Sequence, residues 1–594
     1  MTMKNAFQTI EHNVDVCVVG GGLAGLCAAV SAARHGARVL IMQDRPMFGG
    51  NASSEVRMWV CGAHGENNRE TGLVEEIMLE SFWRNPYGNY SLWDSILFEK
   101  VRFQEGLDYL LNCTCLDAEM AGSQIAGISG WQMTTQTFHQ VRAKIYIDCS
   151  GDSILAPLTG AEYRVGRESR REFGEDIAPD QADRRTMGMS CLIQAREHAD
   201  KRTYTPPFWA EKFTKEKLPH RLPNPKDKNE NYWYLELGGE HDSIADTEKL
   251  RDELQDVAYG IWDYVKNSGD YGPEVDRLDV DWIGILPGKR ESRRYVGDVI
   301  MNQNDVRSEG RFDDLVAYGG WTMDDHHPGG LRSPEKPTIF HPAPSPFGIP
   351  YRSLYSINIT NLMFAGRNIS VSHSALSATR VMATCATIGQ ACGTAAALAV
   401  RHATSPRGVY ERHLRTLQNQ LMDDDCYLPF RQRSIPELTR TAELVAGGQN
   451  AENLRNGYDR PIETSDNGWT GRPGDPVSYR LAGPAVVKSA RFVFDSDLNR
   501  LTLPEDPRYN RPQRANFFLD DKPMHVPTTL IRDFRIDIGT DAGQWQTWRT
   551  VTGNRQRLVT LDLTPAGPVS AIRFVPLATW GSPACHVFSF DLSG

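Results

Sequence analysis

Val14-Asp15-Val16-Cys17-Val18-Val19 runs into Gly20-Gly21-Gly22-Leu23-Ala24-Gly25, then an alanine-rich stretch, then Ala37-Arg38-Val39-Leu40-Ile41-Met42-Gln43-Asp44-Arg45. An apolar strand, a glycine turn, a small-residue helix and a second apolar strand make a dinucleotide-binding βαβ unit. Gly20 permits the tight turn, Gly22 lets the backbone approach a pyrophosphate, and Gly25 brings the helix against the sheet. The diphosphate then sits beside Leu23 and Ala24, at the positive end of the helix dipole. A glycine turn alone is weak evidence. Set between an apolar strand and a helix containing Ala28, Ala29, Ala32 and Ala33, it is strong. The ribose hydroxyls call for an acidic side chain about 20 residues on. Gln43 stands at that strand end with Asp44 beside it, and both are candidates, although Gln43 lacks a carboxylate's charge-assisted strength.

The chain of 594 residues has room for several domains with ample cores. A net charge of −10, with no basic patch interleaved with aromatics, argues against a nucleic-acid partner. The eleven cysteines are scattered with no CxxC pair, and Cys113 and Cys115 are too close for a metal-type spacing. They predict free thiols in a reducing compartment. Residues 1–14 carry no signal-peptide apolar run, so the expected location is cytoplasmic, or periplasmic if a leader has been removed. Residues 381–400 carry no charge, but Thr384, Thr387, Gln390 and Thr394 make them a poor membrane span, and none is expected. Cys385, Gly389, Gly393 and Ala397 instead predict a small-residue stripe for close helix contact in a core.

Beyond the βαβ unit comes a second glycine pair in Phe48-Gly49-Gly50-Asn51-Ala52-Ser53-Ser54, then the loop Val60-Cys61-Gly62-Ala63-His64-Gly65. Small residues around one histidine suit a chain passing a flat ring; the competing reading is a plain turn with a solvated His64. Residues 70–103 read as helix broken at 86–88. Residues 107–118, 125–135 and 140–147 read as a three-stranded meander whose last strand ends at Asp148-Cys149-Ser150-Gly151-Asp152. A later apolar strand ends at Ala365-Gly366-Arg367-Asn368, followed by Ser370, Ser372 and His373 and a helix beginning near Ala378-Thr379-Arg380.

This order resembles the FAD-dependent oxidoreductases of the glutathione-reductase-type fold, over roughly residues 14–400. The resemblance implies a non-covalent FAD rather than NAD, and a substrate domain inserted after Asp152. It assigns the cofactor to Gly20, Gly22, Leu23, Ala24, Gly25, Gln43, Asp44, Arg45, Gly49, Gly50, Asn51, Ser53, Ser54, Cys115, Gly151, Asp152, Gly366, Arg367, Asn368, Thr379 and Arg380. Family members often carry an aspartate for the ribityl hydroxyls where this chain has Arg367 and Asn368, which leaves that contact open between the two.

Within the insert, residues 232–239 read as a strand and 247–267 as a helix. Leu286-Pro287-Gly288-Lys289-Arg290-Glu291-Ser292-Arg293-Arg294 is unusually basic, and Arg290 and Arg293 offer planar donors to a flavin edge or an anionic substrate. A solvated basic turn paired with Glu291 and Asp298 is the competing reading. Asp324-Asp325-His326-His327 invites a metal, but consecutive residues seldom all reach one ion, so none is expected. Substrate hydrogen bonding competes there with an ordinary polar loop. From about residue 450, short alternating runs at 490–494, 534–538, 558–563, 571–575 and 587–592 predict an antiparallel jelly-roll sandwich. It resembles galactose-binding-like modules. Trp469, Trp545, Trp548 and Trp580 are either a sugar-stacking face or packing.

The expected architecture is thus an α/β Rossmann-type FAD-binding domain (residues 1–160 and 352–402) with an inserted α+β substrate domain (161–351). A helical connector (403–449) and an all-β sandwich (450–594) complete it. The expected activity is hydride transfer from a secondary alcohol of a sugar, glycoside or polyol to flavin N5. His373 is the first candidate for the base and His64 the second, with Arg290, Arg293 and Arg380 orienting substrate or stabilising reduced flavin. The partner is a small molecule of carbohydrate type, and the electron acceptor is left open. Flavin-dependent glycoside cleavage by oxidation, elimination and re-reduction is one alternative. A non-catalytic carbohydrate- or protein-binding flavin fold is another.

Overall fold

The computed structural model describes residues 7–503, 513, 515–539 and 543–594; part of the N-terminal stretch read for a leader lies outside them. The chain divides into two compact units. The first takes in residues up to His64, Tyr87–Gln418 and a segment ending at Lys522; the second takes Gly65–Pro86, residues 419–510 and Pro523–Gly594.

In the first unit, β1 (Val16–Val19), α1 (Leu23–Arg34) and β2 (Val39–Met42) form the βαβ unit. They join β3 (Leu107–Leu110), β4 (Ile145–Asp148) and β5 (Leu362–Phe364) in one parallel sheet of order β5-β4-β1-β2-β3. Burial on both faces explains why β1 and β2 are continuous apolar runs. The helix α2 (His373–Thr379) leads to α3 (Met382–Arg401), so the long helix opens at Met382 rather than at Ala378. α3 is the one described helix long and apolar enough to cross a membrane, and it is almost wholly buried. Its small-residue stripe meets α1: a Cβ on Gly389 would lie 2.0 Å from Ala24 O, and one on Gly393 2.1 Å from Ala28 O.

The expected meander is cut differently. Residues 107–118 divide at Asn112, whose φ of 53° breaks the strand, so Leu107–Leu110 stays in the parallel sheet and Cys113–Ala121 leaves it. Residues 140–147 divide likewise between Thr137–Arg142 and β4. The resulting four-stranded sheet is completed by Thr9–Asn13, parallel to Thr137–Arg142. The apolar runs hid both breaks because strands in either sheet read alike.

Residues 161–351 form short strand pairs around the helix Thr247–Asn267, whose apolar face packs in a core with Trp262, Leu254 and Ile261. Residues 232–239 are not a strand: Tyr232 has a φ of 63° and accepts from Leu235 N–H in a turn, leaving one bridge between Met189 and Leu237.

The second unit is a sandwich of a five-stranded and a four-stranded antiparallel sheet, with Phe492, Phe494, Phe534, Phe574 and Phe590 between them. Its edge strand Glu443–Ala446 begins inside the stretch expected to be a helical connector. The unit also contains the helix Leu73–Arg84, whose Glu75 makes a buried ion pair of 2.7 Å with Arg500. Trp469 is a core residue donating Nε1–H to Gly447 O, so the four tryptophans are not one stacking face.

Candidate active site

The C-terminal ends of β1, β2, β4 and β5 open on a cavity of about 560 Å³. Its floor is made by two glycine segments in backbone contact. Gly49 N–H donates to Gly21 O at 2.8 Å, and a Cβ on Gly50 would come within 3.1 Å of Gly22 Cα. Gly25 holds helix to strand so tightly that its Cβ would lie 1.8 Å from Gly20 O. Gly22, by contrast, faces open space, with nothing nearer than 3.9 Å. No side chain caps α1 and no acidic residue occupies its first turn, so no capping side chain covers its N-terminal N–H groups.

The cavity is lined by Gly20, Gly22, Leu23, Ala24, Gln43, Asp44, Arg45, Gly49, Gly50, Asn51, Cys115, Gly151, Asp152, Gly366, Arg367 and Arg380. Gly25, Ser53, Ser54, Asn368 and Thr379 are not on its surface and act behind it. Ser53 Oγ–H bonds Gly50 O at 2.7 Å, Ser54 N–H bonds Asp94 at 3.1 Å, and Asn368 Nδ2–H bonds Asp148 O at 3.3 Å. Gln43 braces the glycine turn: its Oε1 accepts from Gly21 N–H at 2.7 Å and its Nε2–H donates to Met47 O at 3.1 Å. With both ends of that amide engaged, Asp44, 3.7 Å from Arg45, and Glu55 are the acidic side chains lining this part of the cavity. Asp152 lies between Lys289 Nζ at 2.8 Å and Arg367 at 2.6 Å. Burial pushes its carboxyl up, but Arg367 and Lys289 outweigh burial and hold it at about 2.

The other part of the cavity wall comes from the insert. The hairpin Met323–His326 and Thr338–His341 places Asp324 opposite Phe340 and His326 opposite Thr338. Alternation along the strand puts Asp324, His326 and Phe340 on the cavity. His326 Nδ1 lies 3.0 Å from Glu236, and its Nε2 lies 3.1 Å from Asp324 Oδ2. Asp324 also accepts from Thr338 Oγ1–H at 2.6 Å and pairs with Arg380 at 3.1 Å. Burial raises its carboxyl, but His326 and Arg380 prevail and hold it well below the usual carboxylate range. Arg290 lines the same wall and pairs with Glu236 at 3.0 Å. Trp59, Trp233, Trp321 and Phe340 supply aromatic surface.

Three of the sequence candidates go elsewhere. His373 is buried behind the wall, 2.9 Å from Glu291 and 3.2 Å from Asp325. Burial opposes its charge, yet the two carboxylates raise it to about 10. It is therefore an imidazolium at neutral pH and has no lone pair to act as a base. His64 is exposed, its ring stacked on Trp321 at 4.2 Å, and it does not line the cavity. Arg293 lies over the Tyr163 ring and bonds Asp152 O at 3.3 Å, also off the cavity. For His326 the sequence leaves substrate hydrogen bonding and an ordinary polar loop open, and it does not single out Glu236, Trp233 or Phe340. The signal available was the i, i+2 spacing of Asp324 and His326, which matters only once the segment is known to be a strand.

A family model described as FAD dependent oxidoreductase matches residues 15–421, and the chain belongs to that family. Stretches of 43 and 42 residues are 49% and 50% identical to soluble pyridine nucleotide transhydrogenases of Marinobacter nauticus and Chromohalobacter salexigens. Those matches span 9% of each relative and 7% of this chain. A solved geranylgeranyl bacteriochlorophyll reductase-like protein of Thermoplasma acidophilum is 14% identical over 70% of this chain and 85% of its own, with a TM-score of 0.30. The family 32 carbohydrate-binding module of Streptococcus pneumoniae EndoD is 16% identical over 26% of this chain and 96% of its own, with a TM-score of 0.18. The cofactor is FAD, and the site accommodates it. The glycine floor leaves room for a diphosphate, and Arg367 Nε and Arg380 Nε are buried with no protein acceptor among the described residues.

Proposed function

We propose that the protein oxidises a secondary alcohol of a sugar, glycoside or polyol. The observation that carries this reading is His326, held between Glu236 and Asp324 on the wall of the cavity that the glycine floor opens into. FAD, when bound, supplies the acceptor for the hydride leaving the carbinol carbon. The chain has to take the hydroxyl proton and hold the ring. Both ring nitrogens of His326 face carboxylates, Glu236 at Nδ1 and Asp324 at Nε2, so the ring and Asp324 take the hydroxyl proton as one acid–base pair rather than through a free imidazole lone pair. Asp324, whose Oδ2 lies 3.1 Å from Nε2 and which lines the cavity, is the carboxylate of that pair placed to take the proton. Arg290 and Arg380 offer donors to substrate oxygens, and Trp233, Trp321 and Phe340 offer faces for the apolar side of a sugar ring.

The test is an anaerobic visible spectrum of the FAD-loaded protein during titration with sugars, glycosides and polyols. Bleaching by one compound, with a ketone as product, supports the reading. A flavin spectrum that no alcohol in the panel bleaches counts against it. A cleaved glycoside formed without consumption of an acceptor would move the assignment to oxidation, elimination and re-reduction at the same site.

A further inference from the structure

His373 opens α2 and is buried, and the chemistry proposed above does not use it. Its two ring nitrogens meet two carboxylates, Glu291 Oε2 at 2.9 Å and Asp325 Oδ1 at 3.2 Å. Each carboxylate is the chain neighbour of a cavity group. Glu291 follows Arg290, and Asp325 stands between Asp324 and His326. Arg290, Asp324 and His326 line the cavity, whereas Glu291 and Asp325 turn away from it and converge on one imidazole. The hairpin and the Arg290 segment are thus tied together from behind at a single ring.

We propose that His373 is a positioning residue: by bridging Glu291 and Asp325 it locks the backs of the two segments that carry Arg290 and the Asp324–His326 pair, and so sets their spacing across the cavity. The importance of that spacing for turnover rests on the function proposed above.

Only a ring with N–H at both nitrogens can donate to both carboxylates at once; a neutral imidazole serves one and leaves the other buried against a lone pair. The surrounding charges are arranged around that cation. Glu168 accepts His373 N–H at 2.8 Å. Arg294 pairs with Glu168 at 3.1 Å and with Glu291 at 3.7 Å. Arg167 faces Asp325, and Glu175 accepts from Ser372 Oγ–H beside it. Asp325 itself is pushed up by burial and brought below its ordinary value by His373.

The experiment uses the FAD-loaded protein labelled with 13C at histidine Cε1, as wild type, His373→Gln, Asp325→Asn and the double variant. The resonances of His373 and His326 are assigned by their loss in His373→Gln and His326→Asn. The expected wild-type result is a His373 signal that stays imidazolium through about pH 9. In His373→Gln and in Asp325→Asn the His326 Cε1 signal should move. The double variant should shift it no further than either single change, as for two members of one bridge. A His326 signal unchanged in a variant that retains its flavin absorbance and circular dichroism would overturn the proposal, and so would additive shifts. If His373→Gln does not fold, Asp325→Asn decides alone by the same criterion. Because the readout needs no substrate, failure of the alcohol-oxidation reading leaves the result interpretable.

Discussion

Gly389 of α3 lies so close to Ala24 of α1 that one added carbon would stand 2.0 Å from the Ala24 carbonyl oxygen. That oxygen belongs to backbone in the first turn of the helix whose N-terminus faces the cavity, so it cannot swing aside as a flexible side chain would. Gly389→Ala is therefore expected to cost about 1–3 kcal/mol or more through overpacking. It is also expected to weaken FAD binding, because relief of the clash moves α1. Urea unfolding and FAD titration of the variant check both effects.

Gly22 makes the opposite case. A Cβ there would stand 3.9 Å from Gly50 Cα, an ordinary van der Waals contact, so the position tolerates an added carbon. Gly22→Leu should leave the unfolding midpoint of the apoprotein within about 0.5 kcal/mol of wild type. It should abolish FAD uptake, because the space it fills is the one the diphosphate needs. Quenching of FAD fluorescence on adding apoprotein measures this; retained uptake would place the diphosphate elsewhere.

His326→Ala removes the ring of the proposed proton-accepting pair while Glu236 keeps its pairing with Arg290 at 3.0 Å. The rate of flavin bleaching by the substrate should fall by about 100-fold or more, the usual range for loss of a general base. The oxidised flavin spectrum should be retained. His64→Ala, at an exposed ring off the cavity, should leave the rate within a few-fold of wild type. The reverse order of effects would return the base to His64.

The raised pKa of His373 makes a statement about stability. Its ordinary value is 6.5 and its folded value about 10, so the folded state holds the proton more tightly. The resulting stabilisation is complete below the lower value and is lost as pH rises through the higher one. Its slope is at most about 1.4 kcal/mol per pH unit. Urea unfolding of wild type and His373→Gln across this window should show the two converging toward high pH. Parallel profiles would mean that the ring is neutral in the native state.

The parts of the molecule legible in the sequence were those where one local rule acts alone. Val16–Val19, the glycine turn and the helix after it admit a single reading, and the spacing of Gly389 and Gly393 predicted a close helix contact, whose partner, α1, came only from the fold. Elements that depend on distant partners were harder. Nothing local tells Leu107–Leu110 from Cys113–Ala121, although they belong to different sheets. The segment at Tyr232 has strand-like composition, yet a left-handed residue turns it. In the site, an imidazole near the flavin was expected, and His373 was favoured because its segment was expected at the flavin. Its two carboxylate neighbours come from Glu291 and Asp325, and only the fold brings them together. His326 became visible once the hairpin fixed which side of the strand it occupies.

The helix Leu73–Arg84 carries a practical lesson for anyone wishing to dissect the protein. It lies early in the chain, between pieces of the flavin-binding unit, yet it belongs with the sandwich some 350 residues later, where Glu75 neutralises the buried guanidinium of Arg500. A gene cut once, anywhere between the two units as they appear on paper, would deliver a sandwich with an uncompensated charge in its interior and a flavin half carrying a stray amphipathic helix. The two units are interleaved in the chain. Their contributions have to be separated by point substitutions rather than by scissors.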